Sequence, residues 1–377
     1  LEITIEATST MKIPFVDLKA QYDSIKPEID QAIASVISET AFIKSPYIGA
    51  FEKSFANYLG IKHCVGCANG TDAIEIALRA LDVGPGDEVI VPANTWISTA
   101  EAVTTAGARV VFVDNHPEFY SIDTSKIEAA ITPRTKAIIP VHLYGHPADM
   151  GEVMRIARAY NLKVIEDCAQ CHGSSYNGTT TGTFGDIATF SFFPGKNLGA
   201  YGDAGGIVTN SDELATMCRM IGDHGRLGKH DHGLEGRNSR LDGLQAAILS
   251  AKLPHLRGWT VARQRNATIY DRVLSHLDIQ RPICRTDSTH VYHLYVVQVP
   301  DRERVQAHLQ ERGIATGIHY PIALPLLSAY RYLGHTPEQF PVAARGMNRI
   351  LSLPMYPELT EEQIQYVADS LTEAVSK

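Results

Sequence analysis

The chain has 377 residues, 44% hydrophobic and 20% charged, a balance that excludes a disordered polymer and suits one large domain carrying a smaller one. A formal charge of -8 and a pI near 6.0 leave no basic footprint for nucleic acid. No apolar run reaches membrane-span length, and "LEITIEATST" lacks the segments of a signal peptide, so a soluble cytoplasmic protein with no membrane partner is expected.

Residues 1–12 read as an N-terminal extension, with Met11 a candidate natural start. From residue 64 to 210, short apolar runs alternate with helical patterns. The runs are "CVGCA" (64–68), "DEVIVPA" (87–93), "ARVVFVD" (108–114), "KAIIPVHLYG" (136–145), "LKVIEDCA" (162–169), "DIATFSFF" (186–193) and "GGIVTN" (205–210). Several are continuous and β-branched, as strands covered on both faces should be. Amphipathic stretches such as "TDAIEIALRALD" (71–82) and "DMGEVMRIARAYN" (149–161) lie between them. The alternation predicts an α/β fold with a mostly parallel seven-stranded sheet. A long helical pattern over 238–277, with Pro254 as a break, carries the chain out of a large domain spanning 13–255. The patterns at 290–299, 302–313 and 361–375 then predict a smaller α+β domain over 256–377.

Ligands of such sheets gather at the carboxyl ends of the strands, so the polar residues just past each run are the candidates. After the first run, Gly70 permits a tight turn and Thr71 is expected to cap the next helix, a natural phosphate seat. Taken alone, this is an ordinary capped helix. Trp96 follows the second run and is either rim packing or a stacking surface for a flat ring. Asp167 follows "LKVIE" near the end of the fifth run and needs a cationic partner, either a local side chain or an N–H on a bound ring. Ser191 lies near the end of the sixth run, and Lys196 follows three residues past it. A lone serine usually bonds nearby backbone, and most lysines are surface charges.

One ligand would use every one of these groups: pyridoxal 5'-phosphate. Lys196 would form its Schiff base and Asp167 would keep its ring nitrogen protonated. Trp96 would cover a face, with Gly70, Thr71 and Ser191 holding the phosphate. The two C-x-x-C pairs, Cys64/Cys67 and Cys168/Cys171, lie about a hundred residues apart, beyond the spacing of a zinc ribbon. They read as buried thiols, with no metal expected.

The runs "ANGTDAIEIAL", "GPGDEVIVPANTWISTA", "VIEDCAQCHG", "FGDIATFSFFPGKNLGAYGDAGG", "GRNSRLDGLQAAIL" and "LSLPMYPELT" resemble the DegT/DnrJ/StrS family of sugar aminotransferases, from about Ile13 to the last helix. The resemblance implies a fold-type-I pyridoxal-phosphate enzyme, a homodimer with active sites at the subunit interface, working on nucleotide-linked keto sugars. A lysine at position 196 separates the chain from the dehydratase branch, which places histidine there. By motif, Gln170 would contact the cofactor's ring oxygen, and Asn238 would reach the phosphate from the neighbouring subunit. Arg240, His319 and Tyr320 would line the substrate cavity. None of these roles follows from the residues alone.

The implied reaction moves an amino group from L-glutamate, leaving 2-oxoglutarate, to the keto sugar, with Lys196 shuttling the proton. "EDCAQ" and "FFPGKNLGAYGD" resemble the branch acting on dTDP- or UDP-linked 3-keto sugars. The alternatives are a 4-keto nucleotide sugar, a keto cyclitol, or a non-catalytic regulator that kept the fold.

Overall fold

All seven apolar runs become strands of one sheet: β1 (His63–Cys67), β2 (Glu88–Pro92), β3 (Arg109–Val113), β4 (Thr135–Ile138), β5 (Lys163–Asp167), β6 (Ile187–Ser191) and β7 (Gly205–Thr209). The structure, a computed structural model, describes residues 11–226 and 228–376. Residues 1–10 of the expected N-terminal extension lie outside the described residues.

The strand order is β1-β7-β6-β5-β4-β2-β3. Neighbours from β6 to β3 run parallel, while β7 is antiparallel to both β1 and β6. No helix lies between β6 and β7 to carry the chain back across the sheet, so β7 returns in the opposite direction. The fourth run stops early as a strand. Pro140 has no N–H to give the ladder, and β4 ends at Ile138.

Alternation within β2 shows why these strands are apolar throughout. Val89 and Val91 face one core, with Ile74 and Leu78, while Ile90 faces the other, with Val153 and Ile156. The first core is covered by α2 (Gly70–Ala80) and α3 (Ser98–Thr105), the second by α4 (Met150–Ala159), while α1 (Pro46–Leu59) packs Phe51 and Phe55 against Phe192. Asp149 starts α4, its Oδ1 accepting the Glu152 N–H at 3.1 Å.

The helical pattern expected over 238–277 divides at Pro254 into α6 (Gly243–Lys252) and α7 (Leu256–Val273), with α5 (Asp212–Gly222) preceding them. Its first five residues are not helical: Asn238 instead forms an antiparallel bridge with Asp223. Beyond α7, β8 (Tyr295–Gln298) pairs antiparallel with β9 (Ile350–Leu353), packed by α8 (Arg302–Glu311) and α9 (Glu361–Ser376). Tyr270, Tyr295, Leu351 and Leu371 belong to a separate hydrophobic cluster, within the residues expected to form the smaller domain.

Two segments cross the expected division at residue 255. Ile13 sits in the second domain's core, where it bridges to Ile314, and Leu324, Tyr330 and Phe340 pack into the first. Both exchanges link segments far apart along the chain, which a linear reading cannot pair. Among the described residues no helix is long and apolar enough to cross a membrane.

Candidate active site

A cavity of about 500 Å³ opens at the carboxyl ends of β1, β2, β5 and β6. Gly70, Thr71, Trp96, Asp167, Gln170, Ser191, Lys196, His319 and Tyr320 all border it, although they come from five separate stretches of chain.

The α2 terminus is built by Asn69 rather than by Thr71. Asn69 Oδ1 accepts the Asp72 N–H at 2.8 Å, so helix begins at Gly70 and Thr71 lies in its first turn. The Asn69 side chain reaches three residues forward, as a cap must, and this releases the Thr71 hydroxyl toward Ser98, 2.6 Å away. Gly70 meets Ser191 closely: a Cβ on Gly70 would stand 2.8 Å from the Ser191 Cβ. Only glycine lets the helix terminus approach that strand end. Hydroxyls of Thr71, Ser98 and Ser191 thus surround a helix N-terminus, a cradle suited to a phosphate.

Asp167, 5% exposed, ends β5 with both oxygens engaged. Oδ2 accepts the Thr99 hydroxyl at 2.8 Å and Oδ1 accepts the Ala169 N–H at 3.1 Å. Burial raises its pKa, opposed by those two donors and by the charges of Lys196 and His142. Lys196 is half-buried in the turn after β6, its N–H donating to the Phe193 carbonyl at 2.8 Å. Burial lowers its pKa to about 8, with the Asp167 charge pulling the other way. An amine poised there is readily neutral, the form that attacks an aldehyde or takes a proton.

Gln170 ties the sheet to the second domain. Its Oε1 accepts the Tyr144 N–H at 2.6 Å and its Nε2 donates to the Tyr320 hydroxyl at 3.0 Å. The Tyr144 hydroxyl donates to the His319 carbonyl. His319 lies against Phe15, ring centroids 5.6 Å apart, with Nδ1 2.8 Å from Ser352 Oγ. Burial and the Lys196 charge lower its pKa to about 4, so the ring is neutral. Trp96 stands at the rim, 55% exposed, with its ring 5.4 Å from that of Tyr320.

Asn238 and Arg240 do not border this cavity. Arg240 pairs with Asp223 at 2.9 Å and lines a second cavity of about 350 Å³ with Lys44 and Arg219. The four thiols of the C-x-x-C pairs are buried and free. Cys168 and Cys171 lie beside His142, their ligand atoms within 4.8 Å of one another. His142 has no spare nitrogen: Nδ1 accepts the Ala148 N–H at 3.0 Å, and Nε2 faces Glu166 at 3.1 Å.

The sequence reading missed Thr99, Ser98, Phe15 and His293, all of which border the cavity. Thr99 and Ser98 follow Trp96 within one helical turn, a proximity that could have flagged them. Phe15 and His293 carry no local signal.

The donor set answers to one group. An unpaired amine, a buried carboxylate, and a cradle that a Cβ would fill together fit pyridoxal 5'-phosphate. Residues 23–372 match the DegT/DnrJ/EryC1/StrS aminotransferase family. The chain is 48% identical over 366 residues to a pleiotropic regulatory protein of Geobacillus stearothermophilus, covering 96% of this chain and 98% of that one. It is 47% identical over 361 residues to the UDP-N-acetyl-3-dehydro-alpha-D-glucosamine 3-aminotransferase of Acidithiobacillus ferrooxidans, covering 96% and 97%. The crystal structure of S. venezuelae DesV in complex with a ketimine intermediate superimposes with a TM-score of 0.95 at 42% identity, covering 98% of this chain and 100% of that one.

Proposed function

The chain belongs to the DegT/DnrJ/EryC1/StrS aminotransferase family, and we propose that it transfers an amino group from L-glutamate to C3 of a UDP- or dTDP-linked 3-keto sugar. It is a pyridoxal-phosphate-dependent transaminase. The observation that carries the reading is the pairing of Lys196, an amine with a lowered pKa, with Asp167, a carboxylate held by two donors, at one end of a parallel sheet.

When bound, the cofactor supplies an aldehyde that joins the amino donor and a ring that draws electrons from it. Asp167 would hold the proton on the ring nitrogen, which would keep the ring electron-poor. With the cofactor bound, Lys196 Nζ would take the proton from the donor's α-carbon and return it to the cofactor's former aldehyde carbon, across the nitrogen that joins the two, acting as base and then acid. Gly70, Thr71 and Ser191 would hold the phosphate, and Trp96 would cover one face. Gln170 orients the ring oxygen while bracing Tyr320.

His319 and Tyr320 bound the sugar's side of the cavity. Asn238 and Arg240 lie outside the Lys196 cavity of their own chain, which suits the reading that they serve a neighbouring subunit. The working unit is then a homodimer with shared sites. Its buried free thiols suit the reducing cytoplasm.

The test is a visible absorption spectrum of the purified protein beside Lys196→Ala, followed by glutamate and then by UDP- and dTDP-linked 3-keto and 4-keto sugars. A yellow band that glutamate bleaches and only 3-keto sugars restore is the expected result. Restoration by 4-keto sugars would move the amination to C4. A second reading, a non-catalytic regulator, draws on the name of the Geobacillus relative. It predicts a protein that stays colourless with added pyridoxal phosphate.

A further inference from the structure

Asn197 directly follows Lys196 and is buried. Its Nδ2 donates to the Val291 carbonyl at 3.1 Å. A carbonyl can only accept, so the amide oxygen points the other way, where it lies 3.1 Å from His293 Nδ1. Two lone pairs cannot form that contact. His293 therefore carries its proton on Nδ1.

The ring stays neutral, because burial lowers its pKa well below the ordinary value. The positive charges of Lys196 and Arg263 push the same way. A neutral imidazole with Nδ1 protonated presents a bare lone pair on Nε2. Among the described residues, no donor meets that lone pair.

His293 borders the same cavity as Lys196. Lys196 Nζ offers three protons and has no hydrogen-bond acceptor among the described residues. Two carboxylates border the cavity. Asp167 has both oxygens committed to Thr99 and Ala169, and Asp203 is exposed. His293 and Lys196, which carry an acceptor and a donor unpaired among the described residues, thus border one cavity, and the acceptor's tautomer is fixed by the residue adjoining the donor.

We propose that His293 is a positioning residue for Lys196, its bare Nε2 accepting a hydrogen bond from the Lys196 ammonium whenever that lysine is not joined to the cofactor. The proposal rests on Lys196 being the working amine, as argued above. A neutral acceptor favours the charged amine and holds its proton within the cavity, ready to be returned, without adding a second negative charge beside Asp167. A tautomer fixed by Asn197 cannot reverse its role and compete as a donor.

The test is pH-dependent labelling of Lys196 by an amine-reactive reagent in the cofactor-free, full-length chain, read by mass spectrometry. Parent protein is compared with His293→Phe, His293→Ala and His293→Gln, each checked for folding by its melting transition. Without the acceptor, the labelling midpoint is expected to fall by about one pH unit, so that labelling at pH 7 speeds up about five-fold. The glutamine variant, which keeps an acceptor, should stay near the parental midpoint.

An unchanged midpoint in a folded Phe or Ala variant would overturn the proposal. So would an unchanged midpoint with a raised KM for the keto sugar, which would assign the acceptor to a substrate hydroxyl. Labelling needs no turnover, so a colourless, inactive protein would defeat the aminotransferase reading and leave a shifted midpoint standing.

Discussion

Thr99 donates its hydroxyl to Asp167 Oδ2 at 2.8 Å, across 68 residues of sequence. The threonine is 1% exposed and its oxygen lies 3.3 Å from that of Thr95, so it has little freedom to turn elsewhere. Two donors oppose the burial that raises the Asp167 pKa and fix the carboxylate's direction, and the proposed role of holding a ring proton depends on both.

Removing that donor should therefore weaken the site without collapsing it. Thr99→Val is expected to cost about 1.5–3 kcal/mol of carboxylate stabilisation, read as a ten- to hundred-fold loss in kcat. Thr99→Ser should recover most of it. Cofactor affinity, followed by absorbance titration, should fall in the same order. Equal rates for the valine and serine variants would deny the hydroxyl its role.

The phosphate cradle makes a steric prediction. In Gly70→Ala the new methyl meets the Ser191 Cβ at 2.8 Å, so helix and strand end must part. Cofactor affinity should drop at least about ten-fold, because the donors no longer converge. Gly49→Ala, where nothing lies within 4 Å, is the control and should leave affinity unchanged. Matching affinities for the two variants would remove the cradle from Gly70.

Lys196 makes a prediction about stability. Its pKa falls from 10.5 to about 8 in the folded chain. The folded state thus binds fewer protons there than the unfolded state, and holding the charged amine costs stability below pH 8. That cost fades between about pH 8 and 10.5 and is absent above. Lys196→Met in the cofactor-free chain should be more stable by about 1–2 kcal/mol at pH 7, after allowance for solvent screening of a half-buried group. Denaturation midpoints at pH 7 and above pH 10.5 measure the difference, which should vanish at the higher value.

Shared sites can be tested by mixing subunits. On the proposed dimer, Lys196→Ala and Asn238→Ala would each disable a different part of every site in their own homodimers. A mixed dimer would rebuild one intact site, from the lysine of one chain and the asparagine of the other. Co-refolding the two in equal amounts should restore about a quarter of parental activity. No recovery, with mixed dimers demonstrated by mass, would place both residues in the same chain's site.

Much of this was legible in the chain. Apolar runs of β-branched residues alternating with amphipathic stretches determine strands and helices, because both depend on contacts within a few residues. The strand-end rule then exposed Gly70, Asp167, Ser191 and Lys196, since each stands near or just past the end of a readable run. Gln170, His319 and Tyr320 came from motif resemblance alone, and the structure brings them to the same cavity. The cap at Asn69 was missed, although Asn followed three residues later by Asp is a usable local signal.

The sequence by itself determined which residues would stand at strand ends, because a strand's direction and limits are local properties. The order β1-β7-β6-β5-β4-β2-β3 is not local. It follows from how helices cover both faces, and it alone brings Thr99, from the helix after β2, to Asp167 on β5. Likewise, only the docking of the second domain sets His293 against Asn197, 96 residues away, and so decides which ring nitrogen carries the proton. Groups that supply the chemistry sit where local rules put them, whereas groups that fix their charge and tautomer arrive from elsewhere in the chain, through packing that no short stretch of sequence encodes.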